Sequence, residues 1–378
     1  MTTRRLGIGI LLTYLPREKM GGAQLQAVRM AAELSRNHDV ILFSRGDEGD
    51  AASLDLGSAE LVTRRPLNIY GLRLIADGPL GIRQIVKMSH RLDALVCYQS
   101  IAAGLLGVQA GRRLGIPALV FVRGRHEYQM GRPSRFRLLV PHVFRSADRV
   151  LVQAEPLMRE ILEQFDRPGL RRIRNRLRDR IGVVANGVEL QPRRIGHGNG
   201  LVYVGRVIQA KGLDELIDAM RSVPGEHLTI VGDGPERTRL EEKARGLRVT
   251  FTGRVDHATA RQYIRDARCL VLPSYSEAFP NVVLEAMASG VPVVATLTGG
   301  VPSLVQDGET GILVPPRSVE HLARSLAKLT QDESLCLAMG ARAYEVAASF
   351  EWPRAAENLV EQIELVIARN DRRGTMRS

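Results

Sequence analysis

Short apolar runs alternate with amphipathic helical runs along the whole chain, and the pattern is laid down twice. Apolar runs of this length, separated by segments with a 3.6-residue period, specify parallel strands joined by crossover helices. In the first half the runs predict strands at 6–12, 39–43, 59–62, 93–97, 117–122, 149–152 and 182–185, with helices at 22–35, 81–91, 101–114, 134–145 and 155–164. The second half predicts strands at 201–204, 227–231, 249–252, 269–272, 291–295 and 311–314. Its helices are expected at 212–221, 236–245, 259–267, 282–289, 319–329 and 333–348. The fold class is therefore α/β, with two copies of one architecture that share no sequence repeat. The glycine- and arginine-rich stretch 192–200 has no apolar period and is read as the linker. A last helix is expected over 352–368, where Ala355, Leu359, Ile363 and Val366 fall on one face. Its periodicity leaves open whether it packs on the second domain or crosses back.

A chain of 378 residues suits two cores better than one. The domains are expected at 1–192 and 198–348, followed by a helix and tail at 349–378. Three cysteines, Cys97, Cys269 and Cys336, are far apart and show no metal spacing. Cys97 and Cys269 lie in strand-like runs and read as small buried thiols of a reducing compartment. The run 6–12 after Arg4-Arg5 is short for a signal peptide and lacks a cleavage site before Gly21-Gly22, so it reads as a buried strand. No run approaches the ~20 apolar residues of a membrane span. The expectation is a cytoplasmic protein, peripheral on the membrane's inner face at most. The net charge of +12 is uneven: residues 1–195 carry 32 Lys and Arg against 18 Asp and Glu, whereas 196–378 carry 21 against 23. The basic half suits phosphate-rich partners. Its most basic stretch, 167–180, holds seven arginines, with Leu170, Ile173 and Leu177 at helical spacing, a pattern suited to an anionic membrane surface or a phosphorylated acceptor. Aromatic residues make up only 4% and no recognition module is visible, so nucleic acid is not expected as a partner.

The segment from Ser276 to Val294 places Glu277 in a loop and Glu285 on the following helix, between two apolar strands. Loops at the carboxyl ends of parallel strands are where open α/β sheets bind ligands. A helix start also offers unpaired N–H groups to a phosphate. Arg206 and Lys211 follow the strand 201–204 with Gly205 at the turn, and both cation types suit a diphosphate. Paired carboxylates also define glycosidases, but those need no phosphate-binding cations. Gly7 and Gly9 lack the third glycine of a dinucleotide fingerprint.

These residues, together with Gly21-Gly22-Ala23, Asn186-Gly187-Val188, Gly205-Arg206 with Lys211-Gly212, Gly232-Asp233-Gly234-Pro235, Phe251-Thr252-Gly253, Gly299-Gly300-Val301-Pro302 and the turn from Gly308 to Val314, resemble the signature of the retaining glycosyltransferases of family 4. The motifs occur in the family's order over nearly the whole chain. The resemblance implies a GT-B fold: two facing Rossmann-like domains with an inter-domain cleft and a C-terminal helix crossing back, anchored by Phe350 and Trp352. It implies transfer of a sugar from a nucleotide-sugar co-substrate, with uridine the commonest base, to a hydroxyl of a glycan or lipid-linked acceptor. No cofactor or metal is implied. Glu277, Arg206 and Lys211 take the catalytic positions. Donor contacts are implied at Gly22, Gly205, Gly253, Arg254, Val255, Ala278, Phe279, Pro280, Asn281, Val282 and Glu285, with Glu277 on the donor sugar and Glu285 on the ribose.

Two positions depart from the family pattern. Arg123 stands before Gly124 where many members have histidine, and a histidine appears only at His126. Gly21, Arg123 and His126 are the acceptor-side candidates. Arg123 cannot serve as a base but could bind an acceptor phosphate or orient the donor sugar. Ser303 occupies a place that is commonly acidic. Two other readings keep the fold: a nucleotide-sugar epimerase or sugar-phosphate synthase, and a non-catalytic nucleotide-sugar-binding partner.

Overall fold

The computed structural model of the chain describes residues 4–15, 22–46, 54–64, 73–124, 127, 139–192, 196 and 198–375. The chain divides into two compact units, one of Met1–Gly187 with Trp352–Ser378 and the other of Val188–Glu351.

Among the described residues, the first unit is built on a parallel sheet of seven strands: β1 (Gly7–Leu12), β2 (Asp39–Arg45), β3 (Glu60–Arg64), β4 (Ala94–Tyr98), β5 (Ala118–Phe121), β6 (Arg149–Val152) and β7 (Ile181–Val183). Their order is β3-β2-β1-β4-β5-β6-β7. β1, β4 and β5 are buried along their whole length, as a sheet covered on both faces requires. The connecting helices are α1 (Gly22–Leu34), α2 (Arg73–Lys87), α3 (Ala102–Leu114), α4 (Leu139–Ser146), α5 (Glu155–Gln164) and α6 (Arg171–Arg178). α2 begins well before the expected 81. Pro79, a residue that ordinarily breaks a helix, lies inside it and is exposed. Gly7 is explained by space: a β-carbon there would stand 1.8 Å from the Arg91 carbonyl oxygen.

The second unit repeats the plan with β8 (Leu201–Val204), β9 (Leu228–Val231), β10 (Val249–Gly253), β11 (Cys269–Leu272), β12 (Val293–Thr296) and β13 (Gly311–Val314), in the order β10-β9-β8-β11-β12-β13. Its helices are α7 (Leu213–Met220), α8 (Arg237–Lys243), α9 (His257–Asp266), α10 (Asn281–Met287), α11 (Val319–Gln331) and α12 (Glu333–Ala347). In both sheets the strand order reverses beside the first strand, between β1 and β4 and between β8 and β11. The carboxyl ends of strands at such a reversal leave a crevice for ligands.

α13 (Trp352–Thr375) belongs to the first unit. Ala355, Leu359, Ile363 and Val366 are buried with Ile8, Ile10, Leu34 and Val40 in one core, which resolves the alternative that periodicity left open. The passage between units lies at Gly187 and Val188, earlier than the expected linker. The reason is hydrogen bonding: Val188 N–H donates to the Phe350 carbonyl at 2.8 Å and Gln191 N–H to the Ala288 carbonyl at 3.0 Å. The chain is thus committed to the second unit before the glycine- and arginine-rich stretch begins. Trp352 lies against Gly187, where a β-carbon would be 2.3 Å from the indole ring. Cys97, Cys269 and Cys336 are buried thiols, and burial pushes the Cys97 thiol up to about 12.

Candidate functional site

β8 ends at Val204, and after Gly205 the backbone turns through a short 3-10 segment, Gln209–Lys211, that Gly212 closes at φ +64°. A β-carbon at Gly212 would stand 2.1 Å from the Pro273 carbonyl oxygen. Only glycine allows this loop to press so closely on the loop after β11. Tyr275 N–H then donates to the Ala210 carbonyl at 3.0 Å. The consequence is the central contact of this unit: Lys211 Nζ donates to Glu277 Oε1 at 2.5 Å, the two side chains being 18% and 11% exposed. A cation and an anion from the two loops flanking the strand-order reversal are thereby joined. Tyr203 lies beneath them, its hydroxyl donating to the Arg206 carbonyl at 2.8 Å. Burial and the Glu277 carboxylate raise its phenol.

The backbone of Glu277 and Ala278 lies against the loop after β12. Gly299 has φ +52°, and a β-carbon there would meet the Glu277 carbonyl oxygen at 1.6 Å. A β-carbon at Gly300 would stand 2.1 Å from the Ala278 carbonyl oxygen. Ser303, in the 3-10 turn that follows, is exposed. Phe279 is buried, its ring centroid 6.3 Å from that of Phe350. Pro280 precedes α10 with no side-chain cap, and Asn281 and Val282 begin that helix, part-buried.

Arg206 is exposed and has no ion-pair partner among the described residues. The loops after β8, β9 and β10 are stitched together through glycine. Gly232 N–H donates to the Gly253 carbonyl at 2.9 Å, and a β-carbon at Gly232 would lie 1.9 Å from the Gly205 carbonyl oxygen. The turn Gly253-Arg254-Val255 leads to His257 at the start of α9, where the Asp256 side chain caps the helix by accepting from Thr259 N–H. His257 Nε2 stands 3.0 Å from Glu285 Oε1. This partner is absent from the sequence-derived candidates. Its only sequence signal is its place just after that turn, because Glu285 is 28 positions away.

In the first unit, Arg123 follows β5 and is half-buried. Its Nη1 donates to Asn186 Oδ1 at 2.8 Å, and its guanidinium carbon lies 5.4 Å and 5.1 Å from the ring centroids of Tyr98 and Phe121. Gly22 is the exposed first residue of α1. Gly21 and His126 lie outside the described residues. The candidate residues therefore fall into two groups, each at the carboxyl edge of its own sheet. No helix among the described residues is long and apolar enough to cross a membrane.

Residues 198–332 match the family model described as glycosyl transferases group 1, and residues 21–176 match the one described as a glycosyl transferase 4-like domain. The chain is 32% identical over 373 residues to a glycogen synthase from Mycobacterium tuberculosis, covering 92% of this chain and 82% of that one. It is also 36% identical over 211 residues to an exopolysaccharide phosphotransferase from Streptomyces coelicolor, covering 51% of this chain and 22% of that protein, so the chain spans about a fifth of that relative's length. Among solved structures, Anabaena HepE in complex with UDP and glucose matches with a TM-score of 0.76 at 19% identity, covering 95% of this chain and 100% of that one. That likeness speaks for the fold. On the two successive models and the near-full-length relative, the chain belongs to the family 4 glycosyltransferases, the glycosyl transferases group 1, with the GT-B fold.

Proposed function

We propose that the chain is a retaining glycosyltransferase that moves a sugar from a uridine-nucleotide donor to a hydroxyl of a glycan or lipid-linked acceptor, in the making of cell-surface polysaccharide or glycolipid. The observation that supports it best is the Lys211–Glu277 contact at the strand-order reversal of the second sheet. The pair joins the two charges such a donor needs on either side of its anomeric carbon. Arg206 offers its fork to the diphosphate, and Lys211 turns from Glu277 to the same group as a point charge. Together they stabilise the charge that develops on the leaving diphosphate, with no metal required. Glu277, released, accepts from the sugar hydroxyls. Glu285, oriented by His257, accepts from the ribose diol. The bond from the anomeric carbon to the phosphate oxygen breaks, and the bond to the acceptor oxygen forms on the same face. The acceptor proton passes to a phosphate oxygen. Uridine is the base proposed because a structural relative is held with UDP.

The acceptor is proposed to meet the basic first unit. The α6 arginines Arg171, Arg172 and Arg176 are exposed, while Leu177 is buried. That helix is offered as a contact for an anionic membrane surface.

Three measurements test the proposal. Glu277→Gln and Lys211→Ala should each lower transfer by about 10²-fold or more while the thermal midpoint shifts by only a few degrees; wild-type transfer by either variant rejects it. UDP should raise the midpoint of the wild-type chain equally with and without magnesium, by the stabilisation expected of a ligand that binds only the folded state. No shift with any nucleotide diphosphate counts against the reading. Release of UDP from a UDP-sugar only when acceptor is present separates transfer from epimerisation.

A further inference from the structure

The carboxyl edge of the first sheet holds a cation, Arg123, with no acid bonded to its guanidinium among the described residues. Of the Arg123 guanidinium, Nη1 reaches Asn186, a neutral partner, and Nε is buried without a hydrogen bond. Tyr98 and Phe121 contribute ring faces but no negative charge. Glu127 acts on the guanidinium through space, while its oxygens accept from backbone: Oε1 from Arg123 N–H at 2.8 Å and Oε2 from Ser100 N–H at 2.6 Å. Burial disfavours the charged form of Arg123, yet arginine keeps its proton in proteins. A half-buried charge left in this condition is costly unless a counter-charge arrives.

The neighbouring strand ends are incomplete in the same way. Gln153, just after β6, has a buried Oε1 with no hydrogen bond. Gln99, just after β4, has φ +145°. Such strain in a residue other than glycine gathers where a ligand is held. Orphaned donor, orphaned acceptor and strained backbone thus lie at three adjacent strand ends, on the edge where α/β sheets bind ligands.

We propose that Arg123 is a specificity-determining contact for the acceptor, and that the acceptor carries a carboxylate or a phosphate whose charge completes this site. The inference rests on the glycosyltransferase reading and names its acceptor class. It is tested by calorimetric titration of the UDP-saturated chain with glucuronate, glucose 6-phosphate and glucose. At least one of the two anionic sugars should bind at least tenfold more tightly than glucose, and whichever does so identifies the anionic group. Arg123→Gln should abolish that preference. Asn186→Asp provides a second route that preserves shape: an aspartate against Nη1 neutralises the guanidinium from within, so the preference should vanish in a folded protein. Affinity for UDP should be unchanged in both variants. Equal binding of all three sugars by the wild-type chain, or a preference that survives in the folded variants, overturns the proposal. If UDP does not bind, the uridine-donor reading fails instead, and the same titrations on the nucleotide-free chain still decide whether Arg123 holds an anion.

Discussion

At the scale of single residues, the second unit's site depends on glycines that carry no chemistry. Gly299 has a left-handed φ of +52° and stands where a β-carbon would overlap the Glu277 carbonyl oxygen. Alanine there must both strain the backbone and push the carboxylate-bearing loop away. Gly299→Ala is expected to cost roughly 1–3 kcal/mol in urea denaturation and to lower transfer at least tenfold. Unchanged stability and turnover would mean that the loop yields without moving Glu277. Lys211 and Glu277 are each legible in the sequence as candidate site residues, but their contact is not. They are 66 positions apart, and loop packing alone makes them neighbours. His257 is the counterpart case, a residue with no motif of its own that meets Glu285 only in the fold.

At the scale of elements, α8 is tied to α7 by charge. Arg239 makes a fork to Asp214, with Nη1 to Oδ1 at 2.8 Å and Nη2 to Oδ2 at 2.6 Å, and Lys243 adds a contact to the same carboxylate. The Arg239 hydrogen bonds, with help from Lys243, hold the Asp214 carboxyl at about 2. A folded-state value below the unfolded one stabilises the protein above the ordinary carboxylate range. That contribution is lost as pH falls through the folded value, so the window runs from about 4 down to about 2. Arg239 is half exposed, so screening reduces the expected contribution to about 1 kcal/mol. Asp214→Asn should lower stability at pH 7 by that amount and flatten the acid limb of a denaturation series. An unaltered limb would show the network to be inert. α13 is held differently, by apolar burial. Leu359→Ala removes a fully buried side chain from the first unit's core and should cost about 2–5 kcal/mol by chemical denaturation; a negligible change would mean that the core does not need this helix.

At the scale of the whole molecule, the charge is divided as sharply as the architecture. All of the net excess of Lys and Arg over Asp and Glu lies before residue 196, and α6 displays part of it on the surface. The chain should cosediment with vesicles containing phosphatidylglycerol at low salt and be released near 0.5 M salt, because exposed charges are screened over a few ångströms there. Replacing Arg171, Arg172 and Arg176 by glutamate should abolish the binding, and equal binding to neutral vesicles would reject a charge-driven contact. Hydropathy periodicity and turn signals determined the two doubly wound sheets, the placement of nearly every strand, the position of Arg206, Lys211 and Glu277 in loops after strands, and that of Glu285 on the helix that follows, because period and turn chemistry are local properties of the chain. The tertiary structure alone decided the rest: the docking of α13 on the first unit, the crossing at Gly187 and Val188, the closure of Lys211 on Glu277, and the seating of Arg123 beside two adjacent rings with no acid bonded to its guanidinium among the described residues. Those outcomes depend on which loops the strand order brings side by side, and pairings across tens to hundreds of positions leave no local pattern to read.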